Sequence, residues 1–371
     1  MGIRDLYKVI KSECPEVLVR VPLSDCAGKR VAVDVSVFLY KSIRSSGPDR
    51  WFESFLHLLI LLRKNCIRAV CVFDGPNPPH EKRLEQDRRR EEVKKVYTRI
   101  AHIEALIETL DEYASGDADY ISEEHAQSAE GLLIRSEQAR RNDLTDYASR
   151  ESVLSSLHAL ADKLYRQSIP IGPEYKARAE RIVKMLGLTS IQIEGEAESV
   201  CSRLCIEGHV DAVLTEDTDV MVYGTPVMWG KLDMSEGSVE VSAHSDILNG
   251  LDLTHETFVD LCIVLGCDYN TRPRGYGPKK AYELFQTYTR LEDAIPEMKG
   301  DDIEERLRYE RCRTLFNAET CGAEECKSVM RYQSAPELDE LREFLNQFAP
   351  QCLARMEEIT KWFGTSPVIY T

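Results

Sequence analysis

The sequence predicts an α/β protein with a mainly parallel central sheet flanked by helices, and three observations carry that reading. Short β-branched and apolar runs alternate with longer segments of helical periodicity. An acidic side chain closes or follows most of these runs. The third is length with composition: 371 residues, 43% of them hydrophobic, suffice to bury one large core or two ordinary ones.

Taken in order, the first strand is Val31 to Val35, with Asp34 near its end and a helical pattern after it. Phe52 to Arg63 reads as an apolar helix, and Ile67 to Gly75 as a second buried strand closed by Asp74 and Gly75. Ser190 to Ile193 is the third strand. It runs into Gly195-Glu-Ala-Glu198 and a helix whose Val200, Cys201, Leu204 and Cys205 share a face, which puts Glu196 and Glu198 in its opening turn. Val210 to Thr215 is the fourth, leading to Asp217 and Asp219, and Pro226 to Trp229 is the fifth. An apolar helix over Phe258 to Leu265 precedes the loop that carries Asp268.

Parallel sheets bind ligands outside the carboxyl ends of their strands, where these acids collect. Any one of them alone is ordinarily a helix cap or a solvated turn. Asp34, Asp74, Glu196, Glu198, Asp217, Asp219 and Asp268 together would repel one another and be strained without cations. Hard divalent ions relieve that strain. Mg²⁺ or Mn²⁺ takes oxygen ligands, and two ions about 4 Å apart can activate a water and stabilise the leaving oxygen of a phosphodiester. Glu216, within the same acidic turn, is expected to point away.

The long insertion between Asp74 and Glu196 opens with eight Lys or Arg against four Asp or Glu from Lys82 to Arg99. Such a run is ordinarily an exposed helix laced with ion pairs. Lys82 and Arg89 are seven apart, so they share one helical face and could meet a scissile phosphate. From about Ala101 to Arg178 the sequence is helical and acidic, with an expected break near Ser115-Gly-Asp117. After Asp268, the segment from Arg272 to Ala281 opens a further helix. There Gly275 and Gly277 permit close backbone approach, Pro278 suits the first turn, and Arg274, Lys279 and Lys280 add positive charge for duplex phosphates.

Composition excludes other classes. A net charge of −16 argues against a protein that coats nucleic acid through uniform positive potential. Twelve cysteines without C-x-x-C read as buried thiols in a reducing compartment, and eight histidines without a metal-type pair argue against zinc. No apolar run reaches the roughly 18 residues that span a bilayer, and the start lacks a secretory pattern, so an intracellular protein is expected.

With these residues in view the chain resembles flap endonucleases of the XPG-like structure-specific 5′ nuclease family. The resemblance is carried in order by MGIRDL, VAVDVS, VFDG, EGEAES, TEDTD, VDLCIVLGCDY and RGYGPKKA. It implies a PIN-like 5′ nuclease fold, a helical arch insertion and a helix, two-turn, helix DNA-binding element. It also implies cleavage of branched DNA in replication and repair, with 5′ exonuclease action, by two Mg²⁺ ions for which Mn²⁺ can substitute. By that analogy Asp74, Glu196 and Glu198 serve mainly one metal, Asp217 and Asp219 the other, and Asp34 and Asp268 assist. Lys82 and Arg89 match the arch's basic pair, Tyr40 the residue that stacks on a base, and Gly2 a position near the junction. Gly275 to Lys280 match the DNA-binding element, where a potassium ion can also sit.

The implied organisation is a nuclease region over 1–100, an overlapping arch over 78–180, an internal region over 181–330 with the helical element near 258–288, and a tail over 331–371. A monomer is expected, nuclear in a eukaryotic host and cytoplasmic otherwise. The insertion is longer than in compact relatives, and one extra residue follows VFDG. The nearest match to a sliding-clamp motif is Met356 to Phe363, with Met in place of Gln. Alternatives are a 5′ exonuclease or Holliday-junction resolvase of the same family, an aspartyl-phosphate phosphatase suggested by Asp217-Thr-Asp219, and a non-catalytic DNA-binding scaffold.

Overall fold

The computed structural model describes residues 2–75, 79–112, 123–134, 150–317 and 334–364. Its strands are β1 (Val19–Pro22), β2 (Arg30–Asp34), β3 (Arg68–Phe73), β4 (Thr189–Gln192), β5 (Ala212–Leu214), β6 (Val227–Asp233) and β7 (Ser238–Ala243). They form one sheet in the order β1-β7-β6-β5-β2-β3-β4.

The five strands expected from sequence correspond to β2 through β6, which pair parallel with one another. Two more were not anticipated: β7 runs antiparallel to β6, and β1 antiparallel to β7. β1 has no hydrophobic run to mark it, because most of its residues face solvent. The β6–β7 hairpin is turned by Asp233, whose Oδ1 accepts from the Ser235 and Glu236 N–H groups at 2.9 and 3.0 Å.

From β2 the chain moves outward to β3 and then β4, and later returns to lay β5 on the opposite flank of β2. This reversal makes a topological switch point, where the loops leaving β2 and β5 diverge and open a crevice. Asp34 is the last residue of β2, and Asp217 follows β5 by three positions.

Helices α1 (Leu6–Glu13), α2 (Val35–Ser46), α3 (Trp51–Lys64), α4 (His80–Glu112), α5 (Glu123–Ile134), α6 (Arg150–Ser168), α7 (Pro173–Met185), α8 (Ala197–Ile206), α9 (Asp219–Val222), α10 (His244–Leu251), α11 (His255–Leu265) and α12 (Pro278–Thr287) follow in chain order. Contacts divide the chain into two compact units. The first comprises Met1–Ser42, Asp49–Glu85 and Gly172–Thr371, and the second Ile43–Pro48 and Gln86–Ile171.

In the first unit one core joins Ala32 and Val72 of the sheet to Val200 and Leu204 of α8 and to Phe258 and Leu261 of α11. A fully buried Phe such as Phe258 contributes about 2–3 kcal/mol through removal of apolar surface from water. Trp51, Phe52 and Phe55 of α3 are also fully buried, with the Trp51 and Phe52 rings stacked at 4.0 Å. The helix Met356–Phe363 packs on α3, and Arg63 Nε donates to the Trp362 carbonyl at 3.1 Å. Its Met356, Ile359 and Phe363 are buried, so the apolar side chains a sliding clamp would read are already committed to the core. The stretch is a packed amphipathic helix, and the weak clamp resemblance gains no support from it.

The second unit has its own core, in which Ile103, Ile107 and Leu110 of α4 meet Ala129 of α5 and Val153, Leu157 and Leu160 of α6. Within it Arg99 donates to the Leu132 carbonyl at 2.6 Å. The break expected near Ser115 to Asp117 lies outside the described residues. Among the described residues the cysteines are free thiols. Cys66 departs from expectation by being exposed, at a turn with φ of 57°. No helix of the described residues is long and apolar enough to cross a membrane.

Candidate active site

The strand ends deliver their acids one by one. Asp34 closes β2 with its side chain buried, and Thr215 Oγ1 donates to its Oδ2 at 3.0 Å. Asp74 follows β3, and the first N–H of α8, that of Ala197, donates to its Oδ1 at 2.8 Å. Gly75 has no room for a side chain here, since a Cβ would stand 2.0 Å from the Ile193 carbonyl oxygen. Glu196 is the N-cap of α8 and Glu198 lies in its first turn, both buried at the helix end whose dipole favours negative charge. Tyr269 donates its hydroxyl to Glu196 Oε2 at 2.6 Å.

After β5 the chain turns so that the Asp217 N–H donates to Thr215 Oγ1 and the Asp219 N–H to Asp217 Oδ1, each at 3.0 Å. Asp219 is 1% exposed, and among the described residues its Oδ1 has no hydrogen-bond donor. Gly2, at φ 83°, lies directly against this pair. A Cβ there would sit 2.1 Å from Asp217 Oδ1 and 2.8 Å from the Asp219 nitrogen. Asp268 is half-buried after α11 and near enough for its charge to act on Asp219.

Electrostatics reflect this crowding. Burial, with the charges of Asp74 and Asp217, pushes the Asp34 carboxyl up to about 7. Burial and then Asp217, Asp268 and Glu198 push Asp219 well above the usual carboxylate range. Glu198 is raised by burial and by Glu196, Asp74 and Asp217, against the pull of Lys82. For Asp74 burial acts upward, but Lys176, Ser36, the Ala197 N–H and Lys82 together outweigh it and hold the group low.

Lys82 comes from the first turn of α4. Its ammonium pairs with Glu196 and, at 2.6 Å, with Glu198 Oε1. Burial alone would discharge it, but the two glutamates keep it strongly protonated. Lys82 is expected to meet a phosphate; here its single charge offsets part of the charge of the two glutamates. Among the described residues no group of three or more His, Cys, Asp or Glu side chains has the spacing of a ready-made metal cage. Arg89 is exposed on the same helix but belongs to the second unit, so its role rests on sequence spacing.

Glu216 turns away from its acidic neighbours and pairs with Lys41. Tyr40 is half-buried on α2. Gly277 is the N-cap of α12, Pro278 its first residue, and Arg274, Gly275, Lys279 and Lys280 are exposed around that end. Gly275 has φ 87°, which the bare residue adopts without strain. The preceding loop is braced by Asn270, which donates to the Ile263 carbonyl at 2.8 Å, and by Arg272, which donates to the Tyr276 carbonyl at 2.8 Å.

Sequence reasoning missed three polar partners. Thr215 and Tyr269 sit beside predicted acids but are chemically ordinary in a strand end and a loop. Lys176 of α7 reaches Asp74 Oδ2 at 3.5 Å from a segment with no motif.

Comparison with known proteins agrees with this geometry. The XPG N-terminal domain matches residues 1–96, and the XPG I-region matches residues 187–268. Flap endonuclease 1 of Glossina morsitans morsitans is 29% identical over 333 residues, covering 85% of this chain and 74% of that protein. The Salmo salar flap endonuclease 1 is 26% identical over 362 residues, covering 93% and 82%. Among solved structures, the catalytic core of Rad2 in complex with DNA substrate superposes with a TM-score of 0.62 at 17% identity, over 97% of this chain and 99% of that one. Flap endonuclease-1 from Methanococcus jannaschii gives 0.58 at 18% identity, over 95% and 98%. At these identities the structural likeness is one of fold, the 5′ nuclease fold. The two matched segments, the XPG N-terminal domain and the XPG I-region, are the ones that deliver the acids to one sheet edge.

Proposed function

We propose that the chain is a divalent-metal-dependent endonuclease that hydrolyses phosphodiesters at 5′ flaps and branched duplex junctions in DNA replication and repair, with 5′ exonuclease action at ends. One observation carries this: the acids of β2, β3, α8 and β5 converge at the switch point of the sheet, and Asp219 Oδ1 is buried there with no donor among the described residues. A buried carboxylate oxygen without a donor is costly unless a cation faces it. The donor set is all oxygen, which fits Mg²⁺ or Mn²⁺ and not zinc.

In this reading Asp74, Glu196 and Glu198 hold one ion, Asp217 and Asp219 a second, and Asp34 and Asp268 assist. Bound there, two such ions would supply activation of a water and charge stabilisation at the leaving oxygen of a phosphodiester. The chain supplies the rest. The Thr215 hydroxyl fixes Asp34, and the Ala197 N–H fixes Asp74. Lys82, already partly exposed, moves from the glutamates to a non-bridging phosphate oxygen, and Arg89 adds a second charge on the same helix. Free N–H groups at the α12 N-terminus, with Arg274, Lys279 and Lys280, grip duplex phosphates, while Gly275 and Gly277 keep the approach open. A potassium ion held by the loop before α12 would extend that grip. Tyr40 stacks on the base beside the cut.

Parallel incision of flap, nicked, blunt and four-way DNA in Mg²⁺ tests the reading. Flap incision is expected to dominate, and Asp217→Asn to abolish it while flap binding persists. A four-way preference would move the chain to the resolvase reading, and retained cleavage in Asp217→Asn would overturn the assigned role. Glu216→Gln is expected to leave incision intact, because Glu216 faces Lys41.

A further inference from the structure

We propose that Lys176 is a positioning residue for the incision reaction: it holds Asp74 by charge and limits how tightly the centre takes up a divalent ion. The inference rests on the nuclease reading. Asp74 is held from two directions. Its Oδ1 accepts from the Ala197 N–H at 2.8 Å, and its Oδ2 faces the Lys176 ammonium at 3.5 Å.

Lys176 lies in the opening turns of α7, four residues after the Gly172 N-cap. Helix dipoles disfavour a cation at that end, so its placement needs an anion within reach, and Asp74 is that anion. The backbone beneath it is fixed. Tyr175 meets the buried Trp51 ring edge-on at 6.0 Å, and Ala179, Ile182 and Val183 of α7 are buried. With the backbone fixed, the aim of the side chain is set by packing, while its 30% exposure leaves the ammonium open to water.

Two consequences follow, and they have opposite signs. An ammonium this close to a metal-holding carboxylate repels a divalent ion, so removing it tightens uptake. The same removal takes one of the groups that hold Asp74 away from Oδ2, so the loaded centre is less well aligned. A residue that merely stabilised the fold would move both quantities together, or neither.

The test uses the full chain as wild type, Lys176→Gln and Lys176→Arg, with thermal melting to show that each is folded. Calorimetric titration of the DNA-free protein with Mn²⁺ reads metal uptake, and steady-state incision of a 5′-flap duplex reads kcat and KM separately. For Lys176→Gln we expect Mn²⁺ to bind about threefold tighter or more and kcat to fall about tenfold with KM held, and Lys176→Arg to restore both. A raised KM at constant kcat would make Lys176 a DNA contact only and overturn the inference. So would a joint loss of Mn²⁺ affinity and rate, or no change in either. A wild type that neither incises nor binds Mn²⁺ would sink the nuclease reading itself, which an active wild type beside an indifferent Lys176→Gln would not.

Discussion

Replacing Lys82 with alanine removes the ammonium that pairs with both Glu196 and Glu198, whose side chains are 6% and 5% exposed. Breaking a buried pair from one side typically costs about 3–5 kcal/mol, because the remaining charge stays uncompensated. Lys82 itself is 18% exposed, so water can take part of the load, and a loss of about 2–4 kcal/mol in metal-free protein follows. In a domain of this size each kcal/mol moves the melting temperature by about 2–4 °C, so Lys82→Ala should melt roughly 5–10 °C below wild type in chelator. A divalent ion then fills the place of the lost charge. Linkage gives about 2.7 kcal/mol at a hundredfold excess over Kd, and the gain should be larger in the variant, where no ammonium competes. Differential scanning calorimetry with and without Mn²⁺ measures both effects. Equal melting temperatures in chelator, or an equal Mn²⁺ gain, would refute the assignment of Lys82 as the internal counter-charge. On a flap substrate the same variant, like Arg89→Ala, should lose rate far more than binding; equal losses would make these residues DNA anchors.

Other perturbations probe separate joints. Gly2→Ala forces a methyl group to within 2.1 Å of Asp217 Oδ1 at a φ of 83°, so incision should fall by about a hundredfold or more with the melting temperature little changed; normal kinetics would show the N-terminus to be remote from the chemistry. Arg313 pairs with Asp260 and Glu292, each at 2.7 Å, and holds the Glu292 carboxyl down at about 2 from an ordinary 4.5. A lowered folded-state pKa stabilises above the unfolded value and is lost as pH falls from about 4.5 toward 2; a third of Glu292 is exposed, so screening leaves about 1 kcal/mol. Denaturant midpoints from pH 6 to pH 3 should show this slope in wild type and lose it in Arg313→Met, which also leaves the buried Asp260 unpaired and costs about 2–4 kcal/mol at pH 7. An unchanged acid slope in the variant would contradict the pairing.

The parallel half of the sheet was legible because buried strands leave continuous apolar runs, as in Ala69 to Phe73, and because each is followed closely by an acid or glycine. The antiparallel edge was not. β1 is four residues, mostly exposed, and the alternation Val239-Glu-Val241 in β7 is a signal that an account built on buried runs passes over. The acids were readable as a set because the topology puts the ends of parallel strands at one edge, but their second partners were not. Thr215, Tyr269 and Lys176 are chosen by three-dimensional proximity, and nothing in their spacing relates Lys176 to Asp74, about a hundred residues earlier. Lys82 was legible as a cation on the right helical face, but not as a partner of Glu196 and Glu198, since that depends on how α4 leaves the end of β3.

The central claim is that the acids at the switch point work as a two-ion hydrolytic centre. The single-turnover incision rate of a 5′-flap duplex, followed as a function of Mg²⁺ concentration, tests it most directly. A two-ion centre gives no incision in chelator and a rate that rises with about the second power of Mg²⁺ before saturating. Incision that persists in chelator, or a wild type that never cuts at any Mg²⁺ concentration, would contradict it.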